Sequence, residues 1–257
     1  MIRIVKFLSS SLTIAEMEAR KIRHDSTELW TRAVQPALWL LVFGEVFNRI
    51  KAITSSNISY ITFIAPGVLA QSVLFISIFY GITIVWERDV GLLTKLLSTP
   101  SPRSSIVVGK ALAAGVRGIF QALMIFGLTL IIGINLRLDP FDVISVFVVI
   151  VLFAMCFSSL SMTLASLLKT RERMMGIGQA ITMPLFFASN AIYPLNLMPE
   201  WLRAISLFNP LSYVVDAMRS LLITGDYSGI PLDAVALVLS TLLFVSLASI
   251  MIRRLIE

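Results

Sequence analysis

Long apolar stretches separated by short polar segments dominate the pattern of this chain. Six of these stretches approach or exceed the roughly 20 mostly apolar residues that an α-helix needs to cross a bilayer. The pattern therefore predicts an all-α integral membrane protein with six transmembrane helices. The predicted spans are residues 31–47, 58–85, 106–134, 141–168, 174–192 and 232–252.

The first thirty residues have a different pattern, in which apolar residues recur every three or four positions and most charged residues fall elsewhere on the helical wheel. The apolar positions are Ile4, Leu8, Leu12, Ala15, Ala19 and Ile22. This spacing predicts an amphipathic helix over residues 1–30 that lies along the membrane surface. A frayed tail is the alternative.

A charged segment, residues 86–100, separates the second and third spans. Its leucines Leu92, Leu93, Leu96 and Leu97 share one helical face, and Pro100 ends the pattern. We predict a short amphipathic helix here. The sequence leaves two hypotheses open: a lever that docks onto a partner, or an interfacial loop helix without a partner.

The segment 193–231 contains two short apolar-periodic pieces, 200–208 and 212–222, joined at Asn209–Pro210. Each piece is too short to cross a bilayer. We expect two short helices at the outer membrane surface, in a re-entrant arrangement if protein shields their backbone. The whole chain, 1–257, is then a single membrane domain in which 31–192 holds spans one to five and 232–252 the sixth.

Basic residues are distributed unequally between the two sides of the predicted membrane. Sixteen of the 21 Lys and Arg residues fall on the side of both termini and of the 86–100 segment, and five on the other. By the positive-inside rule, both termini are predicted to be cytoplasmic in a multi-pass protein of a prokaryotic cell membrane. The charged fraction, 14%, is far below the roughly 25% of soluble domains. Nucleic-acid binding is not expected, because no basic run with interleaved aromatic residues occurs.

Catalytic and cofactor patterns are missing from the sequence. The phosphate-binding pattern GxxxxGK[ST] does not occur, because Gly109–Lys110 is followed by Ala111. A single cysteine, Cys156, and a single histidine, His24, cannot alone form a zinc site. We expect no enzymatic activity, cofactor or metal on this chain. Arg117, inside the third span, is expected to snorkel to the inner interface or to mark the true start of the span.

Small residues four positions apart recur in two of the spans. Ala111/Gly115 in the third span and Gly176/Ala180 in the fifth have this spacing. Small residues allow helix backbones to approach closely. We therefore predict close helix packing, with a dimer contact as one possibility.

The 86–100 segment resembles the cytoplasmic loop of the ABC-2 family of ABC-transporter membrane subunits. The residues that carry this resemblance are Glu87, Arg88, Gly91, Leu92, Leu96, Leu97 and Pro100. Segments 35–47 and 60–75 are similar to the first two spans of that family. Segment 208–222 resembles its outer segment, with Asn209, Pro210, Asp216 and Arg219 in place. The similarity runs nearly end to end and is strongest to daunorubicin-resistance and nodulation types of exporter permease.

The resemblance implies a function, partners and site residues. Two copies of the chain, a homodimer or a pair with a related permease, would work with two separate ATPase subunits that bind ATP and magnesium. The surface helix and residues 86–100 would contact the ATPase, and the substrate would be a drug, a lipid or a lipid-linked glycan. Aromatic residues line the pathway in the polysaccharide branch, which suggests Phe75, Phe79, Tyr80, Phe186, Phe187 and Tyr193 here. The competing hypotheses are an ATPase-independent channel and a membrane scaffold.

Overall fold

The computed structural model describes residues 2–24, 26–48, 59–99, 101–168 and 170–252, and no β-strand occurs within these ranges. The predicted all-α class is therefore confirmed. The helices are α1 (Ile2–His24), α2 (Ser26–Leu38), α3 (Glu45–Asn48), α4 (Tyr60–Asp89), α5 (Leu92–Leu97), α6 (Arg103–Ile132), α7 (Pro140–Ala165), α8 (Arg171–Phe187), α9 (Glu200–Phe208), α10 (Pro210–Arg219) and α11 (Ile230–Met251).

Four of these helices, α4, α6, α7 and α11, are long and apolar enough to cross a membrane. They coincide with the second, third, fourth and sixth predicted spans. Helix α4 continues to Asp89, four residues beyond the predicted end of its span. At 1.5 Å per residue, its 30 residues extend about 45 Å, which exceeds the hydrocarbon thickness of about 30 Å.

The first predicted span, 31–47, lies within a continuous helical run from residue 26 to residue 48. This run comprises α2, a π-helical segment (Trp39–Gly44) and α3. Pro36 lies inside α2, and proline cannot donate the backbone hydrogen bond that an α-helix requires at that position. The wider π-helical turns begin three residues later, in keeping with the tendency of such irregularities to occur in functional helices.

The fifth predicted span, 174–192, is a shorter helix than the sequence suggested. Helix α8 begins at Arg171 and ends at Phe187, and its 17 residues extend only about 26 Å. The chain then turns, and the Tyr60 hydroxyl donates to the Ile192 carbonyl over 3.1 Å. Tertiary contacts of this turn replace the last predicted turns of the helix. The count of six spans stays a prediction.

Helix α4 is the centre of the molecule and packs against α6, α7 and α8, whereas α11 packs on α7 with most of its surface facing outward. A small residue permits a close approach of α4 and α7: a Cβ at Gly81 would lie 2.6 Å from the Ser158 carbonyl oxygen. The Ser161 hydroxyl donates to the Ile78 carbonyl over 2.7 Å across the same interface. Such contacts hold membrane helices together where apolar burial alone cannot.

Candidate functional site

The predicted amphipathic helix of the 86–100 segment is present as α5. Glu87 and Arg88 lie in the last turn of α4, and the chain reverses at Gly91, whose φ of 73° is in the left-handed region that favours glycine. Pro100 lies outside the described residues. The structure thus places the predicted residues in one compact unit, which we call the coupling segment (residues 86–99).

The leucine face of α5 packs inward onto the protein. Leu93 is fully buried, and Leu96 and Leu97 pack against the same core. The opposite face, with Thr94 and Lys95, is exposed. The surface available to a partner is therefore the polar face of α5, and the leucines anchor the helix to the membrane domain.

A buried ion cluster connects the coupling segment to two other helices. The Lys110 ammonium on α6 donates to Glu87 Oε1 over 2.7 Å and to Glu18 Oε1 on α1 over 3.4 Å. Lys21 donates to the same Glu18 oxygen over 2.8 Å. The side chains of Lys110 and Glu18 are each 3% exposed. We call Lys110, Glu87 and Glu18 the inner ion cluster.

The pKa of Glu18, on the surface helix, reflects this environment. Burial by itself raises the pKa of a carboxyl group, but the charges of Lys110 and Lys21 outweigh burial and lower the pKa of Glu18 below its ordinary value. The ionised form of Glu18 is thus stabilised in the folded protein. Each charge in the cluster has an opposite partner, which a buried charge requires.

The sequence did not predict this cluster. In the sequence, Lys110 contributes to the excess of basic residues and to the incomplete Gly109–Lys110–Ala111 pattern, and the surface helix is predicted from its apolar face. The available signal was a lysine at the eighth position of a mostly apolar helix, where a charge needs a partner.

A second connection links the inner ends of α4 and α8. The Arg171 guanidinium donates to Asp89 Oδ2 over 2.8 Å, next to the point where α4 enters the coupling segment. Together with the inner ion cluster, this bond ties the coupling segment to α1, α6 and α8.

Arg117 lies near the middle of α6, and its position relative to the membrane interface stays a prediction. Its side chain is buried, and its guanidinium carbon lies 4.6 Å from the centre of the Tyr80 ring. Lys110 approaches the same ring at 5.9 Å. The aromatic face offers negative charge density to both cations, so tertiary packing compensates for the depth of Arg117 in α6.

The six aromatic residues predicted to line a pathway fall into three places. Phe75 and Phe79 stack on one another, with ring centres 6.1 Å apart, and line a cavity between α2, α4 and α8. Phe187 and Tyr193 line a separate groove between α8 and α9. Tyr80 and Phe186 are buried and line neither of these spaces. The structure therefore does not bring the six residues together within one chain.

The cavity between α2, α4 and α8, which we call the inner cavity, has a volume of about 300 Å³. Its lining is mixed, with aromatic, hydroxyl and carboxamide side chains and the guanidinium group of Arg32. The lining residues are Thr31, Arg32, Gln35, Pro36, Gln71, Ser72, Phe75, Phe79 and Gln179.

The four outer residues suggested by the resemblance lie at the two ends of α10, where they make separate contacts. The Asn209 side chain accepts from the Leu211 backbone N–H and so caps α10, and Pro210 takes the first helical position, where no backbone donor is needed. Arg219 donates to Asp216 over 3.3 Å, and the Asn190 carbonyl accepts from Arg219 over 2.9 Å.

Burial controls the ionisation of this outer pair. Burial raises the pKa of Asp216 and lowers the pKa of Arg219 to about 10, and the opposite charges partly offset both effects. The Arg219 guanidinium carbon also lies 4.1 Å from the centre of the Phe63 ring on α4. The pair thus fastens α10 to α4 and to the turn after α8.

Among the described residues, no group of three or more His, Cys, Asp and Glu side chains is arranged to hold a metal ion. The chemistry of the described sites is that of ion pairs, hydrogen bonds and aromatic contacts.

Comparison with known proteins gives the family. Residues 11–223 match the family model of the ABC-2 type transporter. A putative transport permease, ycf38, of Cyanophora paradoxa is 32% identical over 73% of this chain, and the match spans 65% of that relative's length. The daunorubicin resistance ABC transporter permease protein DrrB1 of Streptomyces coeruleorubidus is 24% identical over 84% of this chain and 75% of its own length. The inner membrane transport permease YadH of Escherichia coli K12 is 27% identical, with 76% and 77% covered. The chain therefore belongs to the ABC-2 type transporter family.

Proposed function

We propose that this chain is the membrane-spanning permease subunit of an ATP-driven exporter of hydrophobic or amphipathic molecules. Two copies would form the pathway, and two separate ATPase subunits would bind ATP and magnesium and supply the energy. The relatives whose names specify a permease support this assignment. We further propose a prokaryotic cell-membrane location with both termini cytoplasmic, from the asymmetry of basic residues.

The observation that carries the proposal is the attachment of the coupling segment. Helix α5 is anchored by buried Leu93, while its polar face remains exposed. Through Glu87 and Asp89 the segment is bonded to α1, α6 and α8. A partner that pushes on α5 would therefore move several helices together, as an external motor requires.

Helix α8 provides support for a second copy. Its outward face carries Met175, Gly176 and Ala180, all exposed in the single chain. A Cβ added at Gly176 would meet nothing within 4 Å, so a second backbone has room to approach there. Gln179 of the inner cavity lies on the same face, so a dimer formed along α8 would place the two cavities beside the pathway.

The coupling proposal is tested by co-reconstituting the chain with its cognate ATPase in proteoliposomes. Gly91→Pro should insert normally yet abolish stimulation of ATP hydrolysis, because proline cannot adopt the φ of 73° found at this turn. Lys95→Glu, on the exposed face of α5, should weaken copurification of the ATPase. Arg203→Glu, an equal charge reversal on the exposed surface of α9, is the matched control and should leave both readouts unchanged.

The same preparation separates the competing functions. A channel would conduct in a bilayer without the ATPase. A scaffold would neither stimulate hydrolysis nor move amphiphiles when the ATPase is present. Wild-type stimulation in both Gly91→Pro and Lys95→Glu would refute the role of the coupling segment.

A further inference from the structure

Helix α1 contacts the rest of the protein through a different face from the apolar one that the sequence predicted. Ser11, Ile14 and Glu18 are buried, each at most 8% exposed, whereas Leu8 and Leu12 are more than half exposed. The buried positions are three and four residues apart, so they form one stripe along the helix. A partly polar stripe therefore holds α1 on the protein, and the predicted apolar face is left uncovered in the single chain.

The buried stripe of α1 packs closely on the inner end of α6. A Cβ at Gly109 would lie 2.7 Å from the Ile14 Cβ and 2.8 Å from the Ser11 carbonyl oxygen, so only glycine permits this approach of the two helices. At the chain segment that leads from α5 into α6, the Ser10 and Ser101 hydroxyls lie 3.3 Å apart and form a hydrogen bond. Helix α1 is thus attached at two levels of the same structure.

Lys110 joins this packed pair of helices to the coupling segment. It is 2% exposed, and its ammonium lies 3.4 Å from Glu18 on α1 and 2.6 Å from Glu87 Oε2 at the inner end of α4. A buried ammonium needs opposite charges around it. If α1 shifted while the coupling segment stayed in place, either Lys110 or Glu18 would lose a partner in a buried position, which is strongly unfavourable.

We propose that α1 and the coupling segment move as one body when the ATPase acts, with Lys110 as the positioning residue that joins them. A push on the exposed face of α5 then carries α1 with it. This inference rests on the proposed function and identifies which of its elements move together.

A reversible disulfide tests whether the two elements move together. Ser10→Cys and Ser101→Cys would place two sulfur atoms where hydroxyl groups 3.3 Å apart now lie, close enough for a disulfide after small side-chain rotations. The native thiol of Cys156 is buried, so it does not compete for the oxidant. The double variant is reconstituted with the cognate ATPase, and ATP hydrolysis is measured after oxidation and again after reduction.

We expect the oxidised double variant to retain wild-type stimulation of ATP hydrolysis, because a bond within one moving body restricts nothing. A movement of α1 relative to the coupling segment would give the opposite result. Oxidation would then abolish the stimulation and reduction would restore it, which would overturn the proposal.

Lys110→Met should lose more than half of the stimulation, and the oxidised disulfide in the same chain should restore it by replacing the lost link. Stimulation is expressed per copurified complex, so that unfolded protein does not enter the comparison. If Lys110 served folding alone, its replacement would lower the yield of complex but not the stimulation of each complex. That result, or a disulfide that fails to restore the stimulation, would overturn the role of Lys110.

The rate of disulfide formation in the chain alone keeps failure of this inference apart from failure of the proposed function. In phosphatidylcholine nanodiscs without an ATPase, Glu18→Gln should slow oxidation of the cysteine pair several-fold, because it removes the charge on α1 that faces Lys110. The matched control, Arg20→Met, breaks a pair whose side chains are 79% and 63% exposed and should oxidise at the wild-type rate.

Equal oxidation rates in Glu18→Gln and Arg20→Met would overturn the inference. A chain that oxidises as expected but stimulates no ATPase would instead contradict the proposed function.

Discussion

Replacing Lys110 should release the surface helix α1 from the membrane domain. In Lys110→Met, the carboxylates of Glu18 and Glu87 would remain buried without the ammonium that lies between them. Removal of one partner from a buried ion pair typically costs about 3–5 kcal/mol. Lys21 stays 2.8 Å from Glu18 and 3.8 Å from Glu87, so we expect the lower end, about 3 kcal/mol.

This loss is large against the roughly 5–15 kcal/mol that stabilises a typical folded domain. It is measured by equilibrium unfolding in mixed detergent micelles, with Trp86, the residue before Glu87, as a fluorescent reporter. The double variant Lys110→Met/Glu87→Gln should recover about half of the loss, because one stranded carboxylate becomes neutral. Arg20→Met breaks the Arg20–Glu16 pair, whose side chains are 79% and 63% exposed, and should cost less than about 0.5 kcal/mol.

Hydrogen exchange shows where the loss occurs. In Lys110→Met, the amides of α1 should exchange faster, while those of α7, which is remote from the cluster along the chain, should keep most of their protection. The inner ion cluster would not be the attachment of α1 if Lys110→Met were as stable as Arg20→Met. The same conclusion would follow if the amides of α1 and α7 exchanged equally faster in Lys110→Met.

Acidification should weaken the same attachment. The pKa of Glu18 is lowered in the folded state, so its contribution to stability is complete above the ordinary carboxyl pKa and is lost as the pH falls through the folded-state value. The free energy of unfolding should therefore decline as the pH falls below about 4.5. This dependence should be smaller in Lys110→Met, and an unchanged pH profile in that variant would contradict the explanation.

Two other perturbations test the packing and the outer ion pair. Gly67→Ala should destabilise the protein by about 1–3 kcal/mol, because the new Cβ would fall against the Ala191 backbone, 2.8 Å from its Cα. The control, Gly127→Ala, has nothing within 4 Å of the new Cβ and should be neutral or slightly stabilising. Equal unfolding temperatures for the two variants would disprove the close contact. Asp216→Ala should lower the free energy of unfolding by about 1–2 kcal/mol, because it leaves the Arg219 guanidinium, whose side chain is 15% exposed, without its carboxylate. Asp216→Asn keeps a hydrogen-bond acceptor and should lower it by less. The reverse order of the two variants in an unfolding titration would argue against the ion pair.

Local sequence patterns determined most of the secondary structure. Runs of apolar residues are sufficient to specify α4, α6, α7 and α11, because in lipid a helix satisfies every backbone group within its own segment. The recurrence of apolar residues every three or four positions likewise specified α1 and α5. Helix α10 begins at Pro210, two residues before the predicted piece 212–222, because Asn209 caps it and Pro210 takes the first helical position. The family resemblance then indicated which of these elements carry function.

Tertiary structure alone decided the end of the fifth predicted span, the inner ion cluster and the inner cavity. Glu18 and Lys110 are 92 positions apart in the sequence, and no local pattern reports that they meet. In the sequence, Lys110 is one of the charges that indicate which side of the membrane is cytoplasmic and part of an incomplete phosphate-binding pattern. In the fold, it is buried between two carboxylates. The same holds for the inner cavity, which Gln35, Gln71 and Gln179 line from three separate helices. Hydropathy depends on the composition of one segment, whereas the pairing of buried polar groups depends on how separate segments pack.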